Sequence, residues 1–157
     1  VPDILLLGKA MGAGLRLSAV IASRHLTSLL CHHPNLGYIT TFGGHPLSCA
    51  AGLAGLRVLL EEKLTERVPW LGHIIQEELG SMEGMGLRRA GLLSALDTGH
   101  PEKLWHLLGT LFRQQILAEG FLFSPGALRL APPLCIGEDL LRQALATVRT
   151  ALSANAL

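Results

Sequence analysis

The chain has 157 residues, of which 49% are hydrophobic and 16% charged, and its 13 Lys and Arg nearly balance its 12 Asp and Glu. A formal net charge of +1 argues against partners such as nucleic acid or an anionic membrane surface, because both need an excess or a patch of basic residues. High hydrophobicity at so small a net charge also excludes an intrinsically disordered chain, and the length suits one compact domain or two small lobes.

The first 63 residues have α/β character. Residues 3–7 (DILLL) form an apolar run between a proline and a glycine, which predicts a strand buried on both faces of a parallel sheet. Residues 17–23 predict a second strand, and 24–30 a short helix. Pro46 predicts the start of a further helix, because proline is tolerated at the first helical position. The small apolar residues that follow predict that this helix is buried on almost every side.

From residue 64 onward the pattern changes to α+β, because helical and strand periodicities alternate. The predicted helices cover 64–82, 102–118 and 138–152, and the predicted strands cover 91–96, 121–123 and 128–130. The first of these helices carries five apolar residues at core spacing: Val68, Leu71, Ile74, Ile75 and Leu79. The change of pattern predicts a boundary near residue 63 and therefore two units, 1–63 and 64–157.

Three cysteines, Cys31, Cys49 and Cys135, lie far apart in the chain. An odd number without regular spacing is typical of reduced, buried thiols rather than of a disulfide framework. No basic segment followed by an apolar segment and a cleavage site is present. We therefore expect a cytoplasmic location. No membrane span is expected, since the longest apolar stretch, 46–60, is too short.

Lys9 directly follows the first predicted strand, in the small-residue loop 8–14 (GKAMGAG). Open α/β sheets place ligands at the carboxyl ends of their strands, and a partly desolvated lysine at such a position is suited to Schiff-base chemistry. A solvated loop lysine is the alternative and, from spacing alone, the more frequent case. A phosphate-binding P-loop is excluded, because Ala10 follows the lysine where Ser or Thr is required.

Residues 40–46 (TTFGGHP) bring two hydroxyl groups, those of Thr40 and Thr41, and several backbone N–H groups to the start of the helix at Pro46. A helix N-terminus favours anions, and glycines let the backbone approach a ligand closely. The segment therefore indicates an anion-binding turn. An ordinary capped turn is the alternative, and the pattern alone favours it.

Arg129 stands between Leu128 and Leu130 in a predicted strand. Strand alternation turns its side chain away from the face that the two leucines share. Such an arginine either lies in solvent or binds a carboxylate through two parallel hydrogen bonds. The residues alone favour the solvated arginine.

The histidines do not form a recognisable metal site. His32 and His33 are adjacent on a loop, where their side chains point apart, and no cysteine or carboxylate spacing completes a zinc set. We expect His33 and His45 to be capping or surface groups, and we expect no metal.

Three segments, taken in this order, resemble the class III aminotransferases, which are pyridoxal-phosphate enzymes of the acetylornithine and ornithine aminotransferase type. The segments are 2–14 (PDILLLGKAMGAG), 41–51 (TFGGHPLSCAA) and 128–134 (LRLAPPL). Residues 88–92 (RRAGL) also resemble the family's Arg-Gly-x-Gly-Leu turn. The resemblance covers essentially the whole chain. It implies a fold-type-I transferase of the α/β class, with 1–63 as the end of the large cofactor domain and 64–157 as the α+β small C-terminal domain.

The resemblance also implies roles for four residues. Lys9 would hold pyridoxal 5′-phosphate as a Schiff base and move a proton during the reaction. Thr41, with Thr40, matches the hydroxyl position that binds the cofactor phosphate, which in the family belongs to the neighbouring subunit, so a homodimer is implied. Arg129 matches the arginine near the substrate carboxylates. The implied reaction moves an amino group from an amino acid or amine to a 2-oxo acid, although the family also includes mutases, decarboxylases and racemases.

The chain departs from the family pattern at four positions: Ala13 and Ser18 replace glycines, Arg16 replaces a common proline and His45 replaces the usual asparagine. The family's Gly-Thr phosphate turn, ring-stacking aromatic and aspartate for the pyridine nitrogen would all precede Val1. The chain therefore resembles the C-terminal portion of an enzyme. The alternatives are a truncated, non-catalytic remnant that acts as a dimerisation or interaction module, and an unrelated α/β domain with chance matches.

Overall fold

The computed structural model describes residues 1–31, 34–35 and 37–154. The chain divides into two units, Val1–Lys63 and Leu64–Leu157. The division falls where the sequence pattern changes from α/β to α+β. Each unit combines helices with antiparallel strands, so the mixed α/β class predicted from the sequence is confirmed.

The described residues of the first unit form two strands and two α-helices. They are β1 (Ile4–Leu7), β2 (Ala19–Ala22), α1 (Arg24–Ser28) and α2 (Pro46–Glu61), with 3₁₀ helices at Lys9–Gly12 and Leu29–Cys31. The two strands pair antiparallel, with Leu6 opposite Val20. Ser23 caps α1, because its hydroxyl accepts a hydrogen bond from the backbone N–H of Leu26 at 3.3 Å. Pro46 is the first residue of α2, as predicted.

Two expectations of burial in this unit are wrong. The strand β1 pairs with an antiparallel partner, and its side chains are exposed, from 39% at Leu7 to 71% at Leu6. The helix α2 buries only Gly52. Its exposed apolar residues are Leu47, Leu53, Leu56, Val58 and Leu60. Both segments have the composition of buried elements, but burial needs a covering surface, and the described residues of this unit do not provide one.

The cysteines also differ from expectation. Cys31, Cys49 and Cys135 are free thiols, as an odd and scattered set predicts, but all three are exposed rather than buried. Cys49 lies in the first turn of α2, a helix that presents most of its residues to solvent. The prediction of buried thiols is therefore wrong, and for Cys49 the reason is that the helix that carries it is itself exposed.

Up to residue 154, where its described part ends, the second unit forms three α-helices and four strands. They are α3 (Val68–Leu79), β3 (Leu87–Ala90), β4 (Leu93–Asp97), α4 (Pro101–Arg113), β5 (Glu119–Phe121), β6 (Ser124–Leu130) and α5 (Glu138–Ala154), with a 3₁₀ helix at Leu64–Arg67 before α3. The strands form one antiparallel sheet in the order β3-β4-β6-β5. The predicted helices are all present with different bounds, and the predicted strands correspond to β4, β5 and β6.

The strand β3 was not predicted, because residues 88–92 resemble a turn. The polypeptide remains extended through Ala90 and turns at Gly91, where φ is +62°. Two adjacent arginines interrupt the apolar alternation that marks a strand in sequence. The family-like segment therefore consists of a strand end and a tight turn into β4.

The core of the second unit lies between one face of the sheet and the three helices. Four of the five core positions predicted for α3 are at most 1% exposed, and Val68 packs against them. Facing them are Leu96, Leu104, Leu107, Leu111, Leu128, Leu141, Leu145 and Val148. Each fully buried leucine of this kind contributes roughly 1.5–3 kcal/mol to folding. All three helices that the structure describes in this unit contribute buried residues to this core.

A cluster of charged side chains joins α3 to α5 on the outside of the second unit. Arg142 donates to Glu138 at 2.9 Å and to Glu78 at 3.3 Å, and Arg149 lies 3.1 Å from Glu78. The indole N–H of Trp70 donates to Glu138 at 3.1 Å. The hydrogen bond from Arg142, supported by that from Trp70, lowers the pKa of the Glu138 carboxyl below its ordinary value.

Candidate functional site

Lys9 directly follows β1 and is the first residue of the 3₁₀ helix Lys9–Gly12. Its φ is +50°, in the left-handed region, which costs a non-glycine residue on the order of 1–2 kcal/mol. The backbone is held there by hydrogen bonds from the N–H of Met11 to the carbonyl of Gly8 and from the N–H of Ala13 to the carbonyl of Ala10, each 3.1 Å long. Backbone strain of this kind concentrates at functional sites.

The segment 40–46 forms two successive turns that lead into α2. The N–H of Gly43 donates to the carbonyl of Thr40 at 3.1 Å, and the N–H of His45 donates to the carbonyl of Phe42 at 3.2 Å. A Cβ at Gly43 would lie 3.0 Å from the Thr40 hydroxyl oxygen, and Gly44 has a φ of +70°. The positive φ of Gly44 therefore favours glycine there, whereas a Cβ at Gly43 would crowd the hydroxyl of Thr40, which lies against the turn.

Lys9 and Thr40 line the same pocket, which has a volume of about 570 Å³. The other lining residues are Gly14, Leu15, Arg16, Leu17, Ser18, Phe42, Gly43 and Gly44. Residues that are far apart in the sequence thus supply a primary amine, hydroxyl groups and glycine backbone to one cavity. Thr41 does not line this pocket, and its side chain is exposed.

The pocket is basic. Lys9 and Arg16 are both in its lining, and none of its lining residues is acidic. Arg16 and Ser18 are two of the positions at which the chain departs from the family pattern, and both face the cavity that contains Lys9. The arrangement suits a ligand that carries a negative charge, because both cations of the lining favour an anion.

Glycines of α2 position the lysine loop. A Cβ at Gly52 would lie 2.8 Å from the carbonyl oxygen of Met11, and one at Gly55 would lie 2.7 Å from Cβ of Ala13. The helix can therefore approach the loop only because these two positions lack a side chain. Sequence reasoning missed both residues, although two glycines three positions apart on one helix face are a signal for close approach.

His45 occupies the N-cap position of α2 but makes no capping hydrogen bond with its side chain. It is exposed, and its ring lies 6.4 Å from that of Phe42. Of the two roles expected for it, the surface role is the one observed. His32 and His33 lie outside the described residues. Among residues 1–31, 34–35 and 37–154, no group of three or more His, Cys, Asp or Glu side chains could hold a metal ion.

Arg129 lies on β6 and points away from the core, as strand alternation predicts, while Leu128 is fully buried. Its side chain is 38% exposed and forms a salt bridge with Glu119, the residue directly opposite on β5. The guanidinium carbon also lies 5.9 Å from the centre of the Phe121 ring. Arg129 is therefore not simply solvated, because it already binds a carboxylate of its own unit.

Within the described part of the chain, no helix is both long enough and apolar enough to cross a membrane. The exposed apolar residues of the first unit are instead spread over β1, β2 and α2. Such a distribution differs from the continuous run of roughly 20 apolar residues that a spanning helix needs.

Comparison with known proteins identifies the family. The family model described as aminotransferase class-III matches residues 1–152. The acetylornithine aminotransferase from Elizabethkingia anophelis is 32% identical, with a TM-score of 0.81 over 98% of this chain and 39% of that chain. The ornithine aminotransferase from Toxoplasma gondii, described with partial occupancy of pyridoxal phosphate at its active site, is 31% identical, with a TM-score of 0.82 over 98% of this chain and 37% of that chain.

A third structure shows the chemical range of this fold. The phospholyase from Arthrobacter, described in complex with phosphoethanolamine, is 26% identical, with a TM-score of 0.87 over 98% of this chain and 39% of that chain. The chain thus spans less than half the length of each of these structures. Because the family model covers nearly all of it, the chain belongs to the class-III aminotransferase family.

Proposed function

We propose that this chain is the C-terminal portion of a pyridoxal-phosphate-dependent aminotransferase that moves an amino group from an amino acid or amine to a 2-oxo acid. In this proposal Val1–Lys63 is the end of the large cofactor domain and the remainder is the small domain. The observation that carries the proposal is the basic pocket that Lys9 and Thr40 share. The exposed thiols support a cytoplasmic location, since free cysteines are typical of reducing compartments.

The residues of the pocket fit this cofactor. Pyridoxal phosphate carries an aldehyde and a phosphate. The lining offers the Lys9 amine for the aldehyde, and the Thr40 hydroxyl and the Arg16 guanidinium for the phosphate. The volume of about 570 Å³ leaves room for a substrate beside it. When bound, the cofactor supplies the electron sink for bond cleavage at the substrate Cα.

Lys9 has two tasks in this mechanism. Its Nζ would hold the aldehyde carbon of the cofactor. As a free amine, Nζ would also be the general base that accepts a proton from the substrate Cα and returns it later in the cycle. The left-handed backbone of Lys9 holds the start of this side chain in one orientation within the pocket.

Thr41 and Arg129 complete the proposal. We assign Thr41, which is exposed outside the Lys9 pocket, to the cofactor phosphate of a neighbouring subunit in a homodimer. We assign Arg129 to a substrate carboxylate, which is supported by the carboxylate of Glu119 that it already binds. A guanidinium with five N–H donors can hold Glu119 and a second carboxylate together.

Reductive trapping of the cofactor on lysine tests the proposal. The labelled site is easy to identify, because the chain has only three lysines, Lys9, Lys63 and Lys103. The 157-residue chain is incubated with pyridoxal phosphate, reduced with borohydride and mapped by peptide mass spectrometry. We expect the adduct on the Lys9 peptide, its loss in Lys9→Ala and its retention in the control Lys103→Ala. Equal labelling of all three lysines would instead support the non-catalytic dimerisation module.

A further inference from the structure

The helix α4 presents two large aromatic side chains to solvent. Trp105 is 72% exposed and Phe112 is 69% exposed. The opposite side of the helix is buried in the core of the second unit, through Leu104, Leu107 and Leu111. Residues seven positions apart are separated by about two helical turns and lie on the same face. The two aromatic residues therefore form one apolar stripe that the described residues leave exposed.

A glycine lies within this stripe. Gly109 is four positions after Trp105 and three before Phe112, which places it on the same face of α4. Among the described side chains, a Cβ at Gly109 would come near only that of Arg113, whose Nη1 would be 3.7 Å away. The packing of the unit therefore does not require glycine there, although a glycine inside a helix lowers its stability. The missing side chain instead lets another backbone approach the helix closely from outside.

Two residues of opposite charge flank the stripe on one side. Glu102 lies in the first turn of α4, and Arg113 is the last residue of the helix. Residues eleven positions apart differ in direction by about 20° around a helix, so both charges lie along the same edge of the stripe. Arg113 donates to the hydroxyl of Thr110 at 3.1 Å. Neither charge has an oppositely charged partner among the described residues.

These positions make α4 complementary to a second copy of itself that runs in the opposite direction. A two-fold axis midway between Trp105 and Phe112 brings Trp105 of each copy level with Phe112 of the other. The rotation keeps the charged edges of both helices on the same side. It therefore brings Glu102 of each copy within about 3 Å, measured along the helix axis, of Arg113 of the other. Gly109 lies beside the axis, where the two helices are closest.

The area and the charges of this surface favour a second copy as its occupant. A buried Trp or Phe side chain covers about 150–250 Å², so the four aromatic side chains of a helix pair bury on the order of 600–1,000 Å². Interfaces of this size are typical of weak or transient complexes. Any apolar partner could cover the aromatic residues, but the charged edge also needs a base opposite its acid and an acid opposite its base. A second α4 in antiparallel orientation has that order.

We propose that the stripe of Trp105, Gly109 and Phe112 is a contact surface for a second copy of this chain. The two α4 helices pack antiparallel, and each copy forms an ion pair from its Glu102 to Arg113 of the other copy. The contact goes beyond the proposed function, because it uses no residue of the proposed cofactor or substrate site. It lies on the second unit and would join the proposed homodimers to one another.

Sedimentation velocity tests this contact in the 157-residue chain that carries Leu6→Thr and Val20→Thr, which weaken contacts through the exposed strands of the first unit. We expect a monomer–dimer equilibrium with a Kd on the order of 100 µM. Phe112→Gln should raise this Kd at least about tenfold, since each dimer loses two aromatic contacts. The matched control is Phe123→Gln, because Phe123 is 95% exposed on a turn of the same unit. It should leave the Kd within about twofold.

Exchange of the two charges tests the antiparallel arrangement. Glu102→Arg and Arg113→Glu should each raise the Kd about threefold or more, because each places like charges together at both ends of the helix pair. The double variant Glu102→Arg/Arg113→Glu should return the Kd to within about twofold of the starting value. Gly109→Ala should raise the urea midpoint, because alanine favours a helix. It should also raise the Kd about tenfold, because its Cβ separates the two helices.

Three results would each overturn the inference. The first is a chain that remains monomeric at concentrations about tenfold above the expected Kd, as it would if a different protein or another segment covered the stripe. The second is an equal loss of dimer in Phe112→Gln and Phe123→Gln, which would mean general hydrophobic association. The third is a double charge variant that associates no better than the single ones.

Discussion

At the scale of single residues, the loop that carries Lys9 contains two non-glycine residues whose backbone conformation favours glycine. Lys9 and Ala13 have φ values of +50° and +47°. The family pattern places a glycine at the second of these positions, so Ala13 retains a Cβ where the backbone disfavours one. That Cβ is accommodated by the missing side chain of Gly55 on α2.

We expect Ala13→Gly to raise the free energy of unfolding by about 1 kcal/mol, because it removes the left-handed penalty of an alanine. Urea denaturation of the chain measures the change. Ala10→Gly is the matched control in the same loop, where φ is not positive, and should lower stability by roughly 0.5–1 kcal/mol. Equal destabilisation by both variants would show that the backbone at Ala13 is not strained.

The sequence singles out Lys9, Thr40 and Arg129 as candidate site residues, and the family resemblance implies their roles, but neither predicts what each side chain contacts. Thr40 reaches the Lys9 pocket through two turns, the second of which contains Gly44 at a positive φ. Arg129 meets Glu119 because of the register between β5 and β6, which shifts between Gly120 and Phe121. Strand alternation predicts on which face of the sheet a side chain lies. Its partner on the neighbouring strand depends on the register between the two strands, which cannot be predicted from the sequence of one strand.

At the scale of elements, the helices of the second unit were predictable and the strand β3 was not. The apolar residues of these helices recur at helical spacing and are buried within the same unit. Ile74 and Leu145, for example, are nearly fully buried. The short strand β3 has two arginines on opposite faces, so no alternation of polar and apolar residues marks it. Its extended conformation follows from pairing with β4, which is a tertiary contact.

The charged cluster between α3 and α5 makes stability depend on pH. The hydrogen bonds from Arg142 and Trp70 lower the pKa of Glu138 below its ordinary value of 4.5. A carboxyl whose pKa is lower in the folded state stabilises the fold above its unfolded pKa, and this contribution is lost as the pH falls through the folded pKa. The stabilisation by Glu138 is therefore present at neutral pH and decreases below 4.5.

We expect Glu138→Gln to lower the urea midpoint of the second unit at pH 7 and to have a smaller effect at an acid pH that is low enough to protonate the wild-type carboxyl as well. Asp139→Asn is the matched control. Asp139 is the next residue on α5, and its side chain makes no hydrogen bond or ion pair with a described residue. It should change the midpoint little at either pH. An effect of Glu138→Gln that is the same at both pH values would contradict the linkage.

At the scale of the whole chain, the two units differ in how completely they bury their apolar residues. The second unit encloses a core between its helices and its sheet. The first unit exposes Leu6, Val20, Phe42 and Leu60 by 64–78%. The sequence predicts that the apolar residues of both units are buried. An apolar pattern indicates that a surface is covered, but it does not indicate whether the same chain or another one covers it.

The exposed apolar face of the first unit predicts self-association of the chain. Leu6 and Val20 lie opposite each other on β1 and β2, so they form one apolar patch of the two-stranded sheet. Exposed apolar patches on elements of this composition mark protein–protein contacts. We expect sedimentation velocity to show a concentration-dependent dimer of the wild-type chain, in keeping with the proposed homodimer.

The double variant Leu6→Thr/Val20→Thr should weaken this association by at least about tenfold, since threonine keeps strand propensity while removing most of the apolar contact. Leu122→Thr/Phe123→Thr is the matched control, because these residues are 87% and 95% exposed on a turn of the second unit. An equal loss of dimer in both variants would mean that the chain associates through general hydrophobicity. A loss confined to the first variant would place the interface on the unit that carries Lys9 and Thr41, as a phosphate site shared between subunits requires.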